Sequence, residues 1–187
     1  MRKIIFISSA CGVGKSTIIE ELQKKEIPGF VSLEVDGLGI NYWDYAHLEG
    51  HIFYKVCLEE ALKRAQDKNI IYGSCMNPLD FEKVILSEEK IKTYFIALTC
   101  QDEDERKRLL ARPKSRMCYD ENFIKGQNQY NNWFKNNLDK FDCHIDTSKL
   151  TIEESVDEII NFINSISWLL YYSYKEIGFN KIYLFNL

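Results

Sequence analysis

The six cysteines of this chain are scattered, and no two stand in a C-x-x-C pair of the kind that holds zinc or runs thiol exchange. Positive charge is not in excess: 24 lysines and arginines face 28 aspartates and glutamates, a net charge of −4. That balance gives no overall attraction to polyanions, which disfavours a nucleic-acid partner and makes a small molecule the natural one. No internal repeat or low-complexity stretch is present. The aromatic-rich end, Trp168 to Leu187, carries Lys175, Glu176 and Lys181, and is too short and too charged to span a bilayer. Nothing before the first apolar run reads as a signal peptide. We therefore expect no membrane partner, a reducing cytoplasm, and cysteines that are mostly free core thiols. With 187 residues, 45% of them hydrophobic and 28% charged, the chain suits one ordinary globular domain with a substantial core.

What is present starts at the amino terminus. The strand-like run Lys3-Ile4-Ile5-Phe6-Ile7-Ser8 breaks into Ser9-Ala10-Cys11-Gly12-Val13-Gly14-Lys15-Ser16-Thr17, and a helical pattern follows at once. This is the phosphate-binding loop G-x-x-x-x-G-K-[ST], departing from it only where Ser9 replaces the first glycine. Backbone N–H groups of such a turn make an anion-binding concavity, and the next helix points its positive dipole end at the same anion. In that pattern Cys11, Gly12, Val13 and Gly14 supply the cradle, Lys15 reaches the β- and γ-phosphates, Ser16 binds Mg²⁺, and Thr17 faces the α-phosphate. A loop without a ligand is disfavoured, because an unpartnered lysine opposes the helix dipole. Cys11 reads as a small filler rather than a redox switch, although a depressed pKa is conceivable at a helix N-terminus.

Strand and helix signals then alternate, as they do in a parallel sheet wrapped by helices. Ile18, Ile19 and Leu22 mark the apolar face of the first helix, which ends before Pro28-Gly29. Phe30 to Val35 reads as the second strand, His47 to Gln66 as a long helix, Asn69 to Gly73 as the third strand and Ile91 to Thr99 as the fourth. Asp102 with Glu105 has the capping-box spacing at the start of the next helix. Phe123, Gln127, Tyr130, Phe134 and Leu138 share one helical face, Asp142 to Asp146 reads as a fifth strand, and Thr151 with Glu154 caps a final helix. This frames a domain over residues 1–167, with 168–187 as an aromatic appendage.

Ligands of such sheets sit at the carboxyl ends of the strands, so the residues just after each strand carry the chemistry. Glu34 and Asp36 follow the second strand, and alternation puts them on one side. A carboxylate there can take a proton from an attacking hydroxyl or hold a Mg²⁺ water. It can also be no more than the start of an Asp-Gly turn. Arg106 to Arg116 is strongly basic, and Pro113 frees the segment after it, about 112–122, to act as a lid over the phosphates. Arg106 and Lys107 read as a solvated helix end, paired with the acids one turn earlier. For Arg108, Arg112 and Arg116 both roles stay open. The third strand ends without the acid of a hydrolytic motor, and no N-K-x-D guanine reader accompanies Asp36-Gly37-Leu38-Gly39. His47 and His51 have metal-ligand spacing but match no zinc-helix pattern.

Together these segments resemble the small P-loop kinases of nucleosides, nucleotides, shikimate and gluconate. Gly12 to Thr17 matches their phosphate loop. Glu34-Val35-Asp36 is similar to their paired acids, Arg108 to Pro113 to their lid arginines, and Asp146-Thr147-Ser148 to the loop that borders the adenine. Gly73-Ser74 is similar to their substrate loop without its glycine repetition. The resemblance implies a three-layer α/β sandwich around a five-stranded parallel sheet with a small lid, and ATP with Mg²⁺ as cofactors. It also implies roles: Lys15, Asp36, Arg112 and Arg116 catalytic, the loop with Arg108 and Thr147 on the nucleotide, and Ser16 with Glu34 on the metal. The expected reaction moves the γ-phosphate of ATP to a small acceptor, a nucleoside or nucleotide first. The alternative is a nucleotide-binding regulator that keeps the loop and lacks transfer.

Overall fold

The computed structural model describes residues 1–86, 90–116 and 118–176, with side chains of the last helix described through Ile166. Its elements alternate: β1 (Arg2–Ser8), α1 (Lys15–Lys24), β2 (Phe30–Glu34), α2 (Gly50–Ala65), β3 (Asn69–Ser74), a single turn α3 (Pro78–Phe81), β4 (Ile91–Thr99), α4 (Asp102–Leu110), α5 (Glu121–Asn136), β5 (Cys143–Asp146) and α6 (Ile152–Glu176). The five strands form one sheet in the order β2-β3-β1-β4-β5, with every pairing parallel. The expected three-layer α/β sandwich is therefore the observed one.

Alternation within β1 builds both layers. Ile5 and Ile7 face one side, where they meet Ile18, Ile19 and Leu22 of α1 and Val156, Ile159 and Ile163 of α6. Ile4 and Phe6 face the other, against Cys57, Leu58, Ala61 and Leu62 of α2. Strands buried on both faces read as continuous apolar runs, which is why Lys3–Ser8 and Ile91–Thr99 were legible without any alternation. Phe6 stacks on Phe95 at 4.5 Å and meets Tyr72 edge-on at 5.9 Å, tying the three central strands together. The chain runs first to the β2 edge and later to β4 and β5, so strand order reverses about β1. In such sheets the crevice at the carboxyl end of that strand receives ligands.

Local chemistry sets several boundaries that periodicity misplaces. β2 stops at Glu34, because Val35–Leu38 turns into a 3₁₀ segment that ends at Gly39 with φ +71°. The strand alternation invoked for Glu34 and Asp36 therefore does not apply. α2 begins at Gly50, which leaves His47 outside it, and His51 Nδ1 lies 3.2 Å from Glu49. Leu138 falls beyond α5, in a 3₁₀ turn at Leu138–Lys140. The capping box proposed for Asp102 and Glu105 does not form. Gln101 is the N-cap residue, Asp102 pairs with Lys135 at 2.7 Å, and Glu105 is buried against Asn128 and Asn131. Thr151 and Glu154 do form theirs, the Glu154 N–H donating to Thr151 Oγ1 at 3.2 Å and the Thr151 N–H to Glu154 Oε2 at 2.8 Å. α6 runs unbroken across residue 168, and the rest of the proposed appendage, 177–187, lies outside the described residues.

Candidate phosphate-transfer site

The loop between β1 and α1 is held in shape by two glycines in the left-handed region, Gly12 at φ +89° and Gly14 at φ +114°. Gly12 is also a close approach: a Cβ there would lie 2.8 Å from Leu109 Cγ and 3.2 Å from Glu105 Cγ of α4. The loop thus rests directly on α4. Its Val13 carbonyl accepts hydrogen bonds from Arg108 Nη1 at 2.8 Å and from Thr147 Oγ1 at 2.7 Å. Arg108 also donates to Thr147 through Nη1, to Oγ1 at 2.9 Å, and through Nη2, to the carbonyl at 2.9 Å. One guanidinium therefore locks the phosphate loop to the turn after β5. The Cys11 N–H, one of the loop amides, donates to Gln127 Oε1 of α5 at 2.8 Å.

At the start of α1 two of the candidate side chains converge on Glu34. Lys15 Nζ donates to Glu34 Oε1 at 3.1 Å, and Ser16 Oγ donates to the same oxygen at 2.6 Å. Both partners of the ion pair are largely buried, with side chains 10% and 15% exposed. Burial pulls the Lys15 ammonium down, but the opposing charges of Cys75 and Glu34 and the hydrogen bond to Glu34 together hold it above its ordinary value. Lys15 is fully cationic at neutral pH. Ser16 and Glu34 offer a hydroxyl and a carboxylate side by side, hard oxygen donors of the kind Mg²⁺ takes when phosphate oxygens and water complete its shell. The donor set fits that ion.

A cavity of about 320 Å³ opens over this pair, lined by the loop, Lys15, Ser16, Asp36, Cys75, Arg112 and Arg116. Asp36 reaches it from the 3₁₀ segment, not from the strand, and Arg116 Nη1 lies 3.4 Å from Asp36 Oδ2 across the mouth. Both ends of that pair are about 60% exposed, at 62% and 63%, so it contributes only about 0–1 kcal/mol. Arg112 lies beside it, its Nη1 4.0 Å from Cys118 Sγ, and Cys118 is buried against Leu109 and Ile124. On the far side of the loop a second cavity of about 280 Å³ is lined by Gly14, Thr17, Arg108, Thr147 and Ile152. Thr17 and Arg108 belong to this one, so the arginine expected in the lid stands apart from Arg112 and Arg116. Arg106, read as a solvated partner of the acids one turn earlier, instead forms a double hydrogen bond with Glu121 at 2.6 Å.

Two contributors escaped the sequence. Gln127 appeared only as a polar residue within an otherwise apolar helical stripe, and that oddity was its one signal. Cys75 follows β3 with no motif around it. Among the described residues no group of three or more histidines, cysteines or acids is placed to hold a metal, and no helix is long and apolar enough to cross a membrane.

No protein-family model matches the sequence, and no curated protein matches it. The fold does match solved structures. A deoxyadenosine kinase from M. mycoides with bound dATP aligns over 87% of this chain and 99% of its own, with 19% identity and a TM-score of 0.57. A gluconokinase from Sinorhizobium meliloti 1021 aligns over 92% and 97%, with 14% identity and a TM-score of 0.62. A shikimate kinase from Acinetobacter baumannii in complex with shikimate aligns over 88% and 94%, with 15% identity and a TM-score of 0.56. The fold of this chain is the one these small P-loop kinases share.

Proposed function

We propose that this protein is a Mg²⁺-dependent phosphotransferase that moves the γ-phosphate of ATP to the hydroxyl or phosphate of a small molecule, a nucleoside or nucleotide first. The single observation that carries this is the convergence of Lys15, Ser16 and Glu34 beneath a glycine-shaped loop, with Asp36 facing Arg116 across the same cavity. Phosphoryl transfer is mostly positioning and charge stabilisation, so a fixed cation, a metal ligand pair and a carboxylate near the acceptor are what it requires.

In this reading the loop amides and Lys15 hold the β- and γ-phosphates. The base and ribose lie toward the cavity bordered by Thr17, Arg108 and Thr147, the acceptor toward Asp36. Ser16 and Glu34 would hold Mg²⁺, which would supply positive charge against the phosphate oxygens. Asp36 accepts the proton of the acceptor hydroxyl or orients it. Arg112 and Arg116 sit where charge on the transferring group would be stabilised. Arg108 carries a double duty, since it braces the loop as well as bordering the nucleotide. The cysteine distribution, three of six buried and all free, agrees with a reducing cytoplasm.

A screen of ATP consumption against nucleosides, nucleotides, sugars and small hydroxy acids tests the proposal, with Asp36→Asn run beside the wild type. The kinase reading expects one acceptor class to stimulate turnover and Asp36→Asn to lose most of it while still binding ATP. ATP binding with no transfer to any acceptor would instead favour a nucleotide-binding regulator.

A further inference from the structure

Cys11 and Cys75 stand on the same cavity, and the transfer chemistry uses neither thiol. Their proximity follows from the sheet. Ser8 of β1 and Ser74 of β3 are paired in register, and the Ser9 N–H donates to the Ser74 carbonyl at 3.4 Å. The two chain segments leave the sheet side by side, so both cysteines line the cavity and both are partly buried. The two thiols stand close enough for the ionisation of one to bear on the other. The interaction with Cys11 lowers Cys75 to about 7, burial opposes it, and Lys15 assists while Asp36 and Glu34 resist. Cys11 is pushed up instead, by the interaction with Cys75 and by burial. Of the two, Cys75 is the one biased toward the thiolate, and Cys11, read from the sequence as a small filler, is the one held as a thiol. Thiolates are the attacking species, and a reactive one beside a resolving thiol is the arrangement of a redox-sensitive pair.

We propose that Cys11 and Cys75 form a reversible disulfide that closes the phosphate loop to nucleotide, with hydrogen peroxide as the oxidant. The Cys75 thiolate attacks one peroxide oxygen, the O–O bond breaks, and the departing hydroxide takes a proton to leave as water. Cys75 is then a sulfenic acid. The Cys11 sulfur attacks the Cys75 sulfur, the S–O bond breaks, and the second hydroxide leaves as water with the Cys11 proton. Two thiols have lost two electrons and two protons, and the peroxide has become two waters. A disulfide brings its sulfurs to about 2.05 Å, closer than two unbonded thiols stand. Forming the bond therefore draws the loop toward the end of β3, and misplacing positioning groups by about 1 Å can cost on the order of 10²-fold in rate. The blocking effect rests on the nucleotide site proposed above, whereas the bond itself does not.

The test treats the full chain with hydrogen peroxide, caps remaining thiols with N-ethylmaleimide, and maps peptides by mass spectrometry. In parallel, Mg-ATP is titrated into the oxidised and re-reduced protein. The expected result is a Cys11–Cys75 linked peptide, cleaved by dithiothreitol and suppressed by prior Mg-ATP. Binding should be weaker by about tenfold or more in the oxidised form, the effect of about 1.4 kcal/mol of lost contact, and restored on reduction. Cys75→Ser should form no such link, and its ATP affinity should be the same before and after peroxide. Free Cys11 and Cys75 after oxidation, a link from Cys11 to nearby Cys118, or a sulfinic acid at Cys75 would each overturn the proposal. A link that leaves ATP binding unchanged would overturn the blocking step. If neither redox form binds ATP, the functional reading fails, and the peptide map still decides the disulfide.

Discussion

Lys15 and Glu34 form an ion pair at 3.1 Å inside the candidate site, and the carboxylate is shared with the Ser16 hydroxyl. The ammonium that would meet a γ-phosphate is thus already held, with its charge compensated. Removing either partner leaves the other buried and uncompensated, a costly state. Glu34→Gln keeps the shape but removes the negative charge. We expect turnover to fall by roughly 10²–10³-fold, with a higher Mg²⁺ requirement, while metal-free ATP binds as well or better because Lys15 is released. A Mg²⁺ titration of activity beside a metal-free binding isotherm checks both. An unchanged Mg²⁺ requirement would remove Glu34 from the metal site.

Arg108 holds the Val13 carbonyl and both oxygens of Thr147. Arg108→Met deletes three hydrogen bonds while keeping much of the side-chain volume. The expected cost is about 2–3 kcal/mol in urea unfolding. Thr147→Val removes overlapping bonds, so the double variant should lose less than the sum of the two. Strict additivity would mean that the arginine and the threonine do not act as one brace.

Gly12 separates two reasons for needing glycine. Its φ is +89°, and an added methyl would press on Leu109 Cγ at 2.8 Å. Gly12→Ala should therefore destabilise by about 1–3 kcal/mol and weaken nucleotide binding. Gly37 has no such φ and no atom within 4 Å of a built Cβ, so Gly37→Ala should fall within about 0.5 kcal/mol of wild type. Equal effects at the two positions, read by thermal unfolding, would contradict this account.

Glu105 lies under the loop, fully buried, with Oε1 lacking a hydrogen-bond partner. Burial pushes its carboxyl up to about 7, against the hydrogen bonds from Asn128 and Asn131. The folded value is above the ordinary 4.5, so the native state binds the proton more tightly than the unfolded chain does. The stability this proton brings is present in full below about pH 4.5 and is lost as pH rises through about 7. Between pH 5 and 8 the wild type should lose about 2–3 kcal/mol more than Glu105→Gln, measured by urea unfolding at each pH. Parallel pH curves would show that the carboxyl is already neutralised by another route.

Most of the frame was legible because buried parallel strands are written as apolar runs. Ile91–Thr99 matches its expected span, and the loop signature locates β1 and α1 together. The site was legible where one motif carries several residues, as in Gly12 to Ser16. It was less so where position depends on a turn. Asp36 reaches the cavity only because Val35–Leu38 coils, which strand alternation does not foresee. Gln127 and Cys75 reach the loop from 116 and 64 positions away, and nothing local to either announces such a contact. Arg108 was expected beside Arg112, yet one turn of helix and the break at Pro113 send the two to different cavities.

Isothermal titration of Mg-ATP into the wild-type protein and into Lys15→Ala tests the central claim most directly. The wild type should bind one nucleotide, and the variant should bind it weaker by on the order of 10²-fold, as loss of a charged phosphate contact requires. Equal affinities in the two, or no binding to the wild type, would contradict it.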